Sequence, residues 1–409
     1  MNCRPVFIII FAAVLVLCHA AESNGQTTQP TIGEELRVAS GRAVDLIEAQ
    51  HSQLLIKNEA LNAATAEVSR LAGEVTQLKA RVEVLTAGPA PTTTPAPPPV
   101  VVYNKIVRQG ESLSAAFADN VSILVEGRHV VTNTIGIRRT NMKLVGAPGS
   151  AIVKGAGGDS RIFSIDRRST GIVFEGLNFE SETPGHGIGI SVSGIDITVR
   201  NCTVKGLKEF VKLDQMNPPT KVAIVGNKTD TSTYAVYMGG GDDILIEKNW
   251  MVGGQDEHIV RGNGTNIRIL SNYFARRGDP GATKNNLALQ RVDGVLVKGN
   301  TFVTFTAGVG PETSLPDQRA KNVRFEGNVF ENALLEINEG SNDIVATGNQ
   351  FSSRGVRFRT SGGTNGGVNR VQIINNTSPL DESKLVTIDD RNMGEGWVRG
   401  LVVQGNVKR

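Results

Sequence analysis

From about residue 170 to the C-terminus, a short phrase returns ten times: aliphatic, any residue, aliphatic, two further residues, then Asn, often followed by an aromatic. It is clearest as Ile244-Leu245-Ile246-Glu247-Lys248-Asn249. It recurs as Ile267 to Asn272, Val295 to Asn300, Val323 to Asn328, Ile344 to Asn349, Val371 to Asn376 and Leu401 to Asn406. Three earlier copies place Leu177, Cys202 and Asn227 in the final slot, and slots lie 21 to 30 residues apart. A repeat of that length is the signature of a solenoid, in which each coil buries its apolar face against its neighbours.

Each copy is too short for a helix pair and alternates with period two, so one face of a strand is apolar. Gly, Asn and Asp cluster between copies, as turns require. Phe274, Phe302, Phe330 and Phe351 follow the slots and are expected to point inward. One step fits a coil of about three short strands, stacked at about 4.8 Å in parallel register. An Asn at the same corner of successive coils can hydrogen-bond the Asn above and below, satisfying amides that would otherwise be buried unpaired. Asn227 opens a glycosylation-like triplet, but its ladder slot points it inward.

These residues resemble the right-handed parallel β-helix superfamily, the pectate-lyase-like solenoids. Ser112-Leu113-Ser114-Ala115-Ala116-Phe117 resembles the short amphipathic helix that caps the first coil there, and Ile123–Gly127 and Met142–Gly146 resemble the first strands. The resemblance covers residues 105–409. It implies an all-β, right-handed parallel β-helix of about ten coils; a separate heptad pattern adds an α-helical coiled coil before it. It is specific for fold and says little about function.

The rest of the chain divides by composition. Residues 1–21 read as a signal peptide: Arg4 precedes the apolar run Val6 to Leu17, and Ala20 and Ala21 offer a cleavage site. The run is too short for a typical transmembrane span. The expected location is secreted, extracellular or periplasmic, with lipid anchoring at Cys18 as the alternative. Residues 22–33 read as disordered. Over residues 34–87 every seventh position is aliphatic: Ile47, Leu54, Leu61, Val68, Val75 and Val82, with a second series Ala64, Leu71, Leu78 and Leu85. That heptad pattern predicts a coiled coil, a dimer or trimer, although Gln50 and Lys57 loosen its upstream half. The alternative is a single helix folded against the solenoid. Residues 88–101 form a Pro/Thr-rich, semi-rigid linker, and residues 102–409 the β-helix. Several β-helices joined by a stalk would raise avidity for a polymer or surface.

With 46 Gly among 409 residues and only 14 Phe, 4 Tyr and 2 Trp, the composition suits a turn-dense solenoid. A net charge of +3 without a basic stripe does not support nucleic-acid binding. Once a signal peptide is removed, Cys202 stands alone, so no disulfide framework is expected and it reads as a small buried hydrophobe.

Functional side chains on a solenoid should share one position on neighbouring coils. The window 10 to 15 residues before each slot holds, coil by coil, Lys212 and Asp214, Tyr234 and Tyr237, Glu257, His258 and Arg261, Gln290 and, after a gap, Glu336. Adjacent loops add Arg276, Arg277 and Lys284. Asp256-Glu257-His258-Ile259-Val260-Arg261, followed a coil later by Lys284 to Gln290-Arg291, is similar to alginate-lyase and chondroitin-lyase β-helices. The Arg-His pair that ends a Leu-Thr-Leu-like strand in that group reads Gln290-Arg291 here.

β-Elimination on a uronate polymer needs a cation to neutralise the substrate carboxylate and a base to take the proton beside it. The expected catalytic residues are Arg261 or Lys284 for neutralisation, His258 or a neighbouring base for the proton, and Tyr237 as donor to the leaving oxygen. Glu257 would orient His258 or bind Ca²⁺. The expected substrate-binding residues are Glu257, Gln290, Arg291, Lys212, Tyr234 and Arg276, with an extracellular polysaccharide as partner. The bland reading of each is a strand residue or a solvated charge. No cofactor is expected, with Ca²⁺ at Asp242-Asp243 or Asp389-Asp390 as the exception. A non-catalytic, oligomeric carbohydrate-binding surface protein is the main alternative. A glycoside hydrolase or epimerase comes next, disfavoured because no Asp trio falls on neighbouring strands.

Overall fold

The computed structural model describes residues 102–158, 160–255, 257–277, 284–310, 319–359, 367–388 and 397–409. The expected signal peptide, coiled coil and linker lie outside them, as do Asp256 and Asp389-Asp390. Among the described residues, no helix is long and apolar enough to cross a membrane.

The described residues form a parallel β-helix. Every strand pairing is parallel, and each strand pairs with the equivalent strand of the next coil. One coil shows the pattern: Thr220–Val225, a corner, Lys228–Thr231, a bend, Val236–Met238, a bend, and then Asp242–Glu247 of the next coil. Among the described residues, the strands gather into a sheet of 22 and a sheet of 12. The large sheet covers two sides of the coil because Val260–Leu270 and Leu287–Lys298 run round the corner without a break. The expected period-two burial is present: Ile244 and Ile246 are fully buried, while Leu245 and Glu247 are half-buried on the outer surface.

Each of the ten slots directly precedes one strand of the small sheet. Two further strands of that sheet, Arg128–Val131 and Ala151–Lys154, come before the first slot. The repeat phrase does not mark those two, because their corners lack the Asn, although the alternating buried pairs Ile123/Val125 and Met142/Leu144 come before them. The expected capping helix is shorter than its sequence suggested. Ser114–Ala116 form a single 3₁₀ turn, yet Leu113, Ala116 and Phe117 are buried over the first coil as a cap requires.

The corner before each slot has one backbone solution. The preceding residue is left-handed at all ten: Gly176, Asn201, Gly226, Lys248, Ser271, Gly299, Gly327, Gly348, Asn375 and Gly405. Six are glycine, for which that conformation carries no Cβ penalty. The turn aims the slot inward. Asn249 then donates from its main chain and its amide to Asn272 Oδ1 (both 2.9 Å) and from the same amide to Ile224 O (2.8 Å). The pattern runs from Asn227 to Asn406. Cys202 donates its N–H to Asn227 Oδ1, so Cys202 receives the ladder without extending it. At the far end Asn406 Nδ2 donates to Glu382 Oε1 at 3.2 Å. Glu382 opens the short helix Glu382–Leu385, and its carboxylate fills the place of the next Asn.

Behind the ladder, Phe274, Phe302, Phe330 and Phe351 stack with centroids 5.1, 5.2 and 4.7 Å apart. Each such pair adds about 0.5–1.5 kcal/mol beyond area burial. Cys202 is buried, and burial pushes its thiol up to about 12, so it is an inert filler.

Candidate functional site

Register sets one outward row on the large sheet. Ser164, Ser191, Lys212, Tyr237, Arg261, Ala288, Gly308, Glu336, Arg357 and Thr387 follow one another, coil by coil. The alternation that buries Val236 and Met238 turns Tyr237 outward, and the same holds for Arg261 between Val260 and Gly262. The coil spacing of about 4.8 Å is close to the length of one pyranose in an extended glycan.

At the centre, Arg261 donates through Nη1 to the Tyr234 hydroxyl (3.3 Å) and through Nε and Nη2 to Gln290 Oε1 (3.4 and 3.3 Å). Tyr234 packs against Tyr237 with centroids 5.1 Å apart, and the Lys212 ammonium lies 5.5 Å over the Tyr237 ring. Burial, foremost, pushes the Tyr234 hydroxyl up to about 12. The Arg261 guanidinium opposes that shift, and the nearby Glu257 carboxylate adds to it. Tyr234 is therefore a protonated donor at any ordinary pH.

Glu257 ties the second half of the cluster together. Its Oε2 lies 3.2 Å from Lys284 Nζ and 3.9 Å from His258 Nε2. Lys284, Glu257, Tyr234 and Arg261 thus stand near one another, across the gap between two coils.

His258 departs from its expected place. The ring is fully buried, and its Nδ1 accepts the main-chain N–H of Asn285 at 2.8 Å. It is set in the wall beneath the site and fixes the next coil, so it is not displayed as an accessible base. Arg276 also departs. It is 6% exposed, lies over Phe305, and donates to Glu257 O (3.1 Å) and Gln255 O (2.9 Å). It holds the loop that carries Glu257. Arg291 is exposed and lines a different depression, with Gln215, Asn263, Arg319 and Lys321.

Two small residues, Ala288 and Gly308, divide the row. The Asn285 amide occupies the space above Gly308, where a Cβ would come within 2.5 Å of its nitrogen. Beyond them Glu336, 3% exposed, is held by Arg357 through Nε at 3.0 Å and through a second, shorter contact, with Arg359 at 3.6 Å. Sequence reasoning missed Arg357 and Arg359, because a longer loop before Asn376 carries both outside a fixed window. The row register is the signal that finds them.

The Asp242-Asp243 pair opens the strand Asp242–Glu247 here. Asp242 Oδ1 accepts from Thr265 and Asn266, and Asp243, left-handed, pairs with Arg268 at 3.0 Å. Among the described residues, no group of three or more His, Cys, Asp or Glu is placed to hold a metal ion.

No protein-family model matches the chain, and no curated protein matches it. Among solved structures it is similar to a surface adhesin of Streptococcus pneumoniae, PfbA: 12% identity over 63% of this chain and 82% of that one, TM-score 0.47. It is also similar to an alginate lyase from a Paenibacillus species, at 13% identity over 65% and 99% of the two chains, TM-score 0.40. A third is a bacteriophage Fri1 tailspike from Acinetobacter baumannii, a capsular polysaccharide depolymerase: 12% identity, 76% and 57% coverage, TM-score 0.39. Likenesses of this extent pass no function to the chain.

Proposed function

We propose that the chain binds an extracellular acidic polysaccharide along the outward row of the large sheet. The observation that carries the reading is the charge of that row. Lys212, Arg261 and Arg357 stand on it against one carboxylate, Glu336, and that carboxylate is already bound by Arg357 and Arg359. Tyr237 supplies an aromatic edge between two of the cations, at a repeat that suits successive sugars. Retardation of the full chain in gels containing alginate or pectate, against gels containing an uncharged glucan, tests this. Mobility unchanged by the acidic polymers would refute it.

The second reading is β-elimination at the same place. What favours it is the grouping of Lys284, paired with Glu257, beside Arg261, which holds Tyr234, and Tyr237, which packs on Tyr234. Arg261 would neutralise the uronate carboxylate, and Tyr237 would donate to the leaving oxygen. The buried His258 ring does not serve as base in this reading; Lys284 would take that role as the neutral amine once its own proton passes to Glu257, 3.2 Å away. The ultraviolet absorbance of an unsaturated uronate product decides between turnover and binding alone.

A further inference from the structure

A second feature lies on the outer face of the small sheet, on the same coils. The outward row of the small sheet runs Asn178, Thr203, Lys228, Trp250, Tyr273 and Thr301 in strict register. Trp250, one of two tryptophans in the chain, is 48% exposed, and its indole offers a large apolar face with a polar edge at the surface. Its face is stacked on Tyr273, centroids 3.9 Å apart and planes 14° apart. The two rings stand on edge as a rigid wall. Beside the wall lies a depression of about 470 Å³ lined by Lys205, Lys228, Asp230, Arg277 and Glu180, with Trp250 at its side.

The charges of this depression are not balanced. Both carboxylates are occupied: Glu180 by Arg128 at 2.7 Å and Asp230 by Arg277 at 2.9 Å. Lys205 and Lys228, by contrast, make no ion pair among the described residues. An aromatic wall beside two uncompensated ammonium groups matches one ligand chemistry well, a pyranose that carries a carboxylate or sulfate. The ring's C–H face would pack on the indole, and its acid would meet Lys228 or Lys205. A lipid tail would meet too much charge here, and an uncharged sugar would leave the ammonium groups unused.

We infer that the small-sheet furrow at Trp250 is a separate binding site for an acidic pyranose of a glycan. It stands on observations of its own and would survive the loss of the large-sheet reading. With both sites present, one solenoid would grip two strands of polymer, or two stretches of one strand.

Two tryptophans in the chain make the test direct. In a full chain carrying Trp397→Phe, Trp250 is the sole indole, and its emission reports the furrow. Titration with hexasaccharides of alginate or pectate should give a saturable change in emission, with cellohexaose at least tenfold weaker. Lys228→Gln should weaken the acidic ligand by threefold or more, and Arg261→Ala should leave the signal unchanged. Because Trp250 is at the surface, Trp250→Ala should fold normally. In a Trp250→Ala chain, calorimetric binding of the same hexasaccharides, with Arg261→Ala also present to silence the large-sheet row, should be lost. No saturable emission change with either acidic hexasaccharide would overturn the site. So would full binding by that double variant, or equal affinity for cellohexaose. An emission change abolished by Arg261→Ala would assign the signal to the large-sheet row and also overturn it.

Discussion

Arg261 donates to the hydroxyl of Tyr234, on the preceding coil, at 3.3 Å. The same guanidinium reaches Gln290 on the following coil. One side chain therefore spans three coils, and its position depends on a phenol that stays protonated. Tyr234→Phe removes one of the oxygens that hold it. The expected result is weaker binding of an alginate hexasaccharide by threefold to tenfold, about 0.6–1.4 kcal/mol, with the unfolding midpoint little changed. Because the hydroxyl titrates only near about 12, binding by the native chain should show no Tyr234-dependent step between pH 6 and pH 10, when titrated calorimetrically across that range.

The ladder predicts where the fold is least tolerant. Asn300 is fully buried. It accepts from Asn272 and donates to Ile269 O, Lys298 O and Asn328 Oδ1. Asn300→Ala strands several buried partners, each costing about 1–3 kcal/mol. A loss of about 3 kcal/mol or more is expected in denaturant unfolding. Asn375, exposed at the corner before Asn376, should by contrast tolerate change to Gly, since its left-handed backbone favours that residue.

The phenylalanine stack should respond separately. Phe302 lies between Phe274 and Phe330 and is fully buried. Phe302→Ala should cost about 3–5 kcal/mol, and Phe302→Leu distinctly less, as read from thermal or chemical unfolding. Equal costs for the two would mean that ring stacking and cavity size are not what the core selects.

Acid sensitivity follows from Glu175. Burial alone would raise its carboxyl, but hydrogen bonds from Arg200 (2.9 Å) and Lys143 (2.7 Å) prevail, and the net shift is downward. A folded pKa below the unfolded one gives stability that is present above about pH 4.3 and lost as pH falls through the folded value. Glu175→Gln should therefore flatten the acid limb of the stability curve while lowering stability at neutral pH. Parallel curves for the two chains would contradict the assignment.

The fold was legible because one corner repeats. A left-handed residue, an inward Asn and an alternating strand are all visible in Lys248-Asn249 and Ile244 to Glu247. The first two coils were not marked, since their corners use other residues. The site was half legible. The window counted back from each Asn found Tyr237 and Arg261, which register does bring together, and Gln290, which Arg261 reaches by hydrogen bonds. It also selected His258, because nothing local separates an outward from an inward residue where the strand begins irregularly: Ala235 and Val236 both donate to Ile259 O there. Trp250 and Tyr273 stand directly after the slot, where an outward position follows from the small-sheet pleat. That signal was present in the sequence, and the inward Phe of the same phrase obscured it.

Binding at the large-sheet row is best measured where the small-sheet furrow contributes nothing. In the Trp250→Ala chain, an alginate hexasaccharide titrated calorimetrically should bind, and adding Arg261→Ala should weaken it at least tenfold, about 1.4 kcal/mol. Affinity should also fall with added salt, as pairing of exposed charges requires. Equal affinity with and without Arg261, or equal affinity for cellohexaose, would contradict the account.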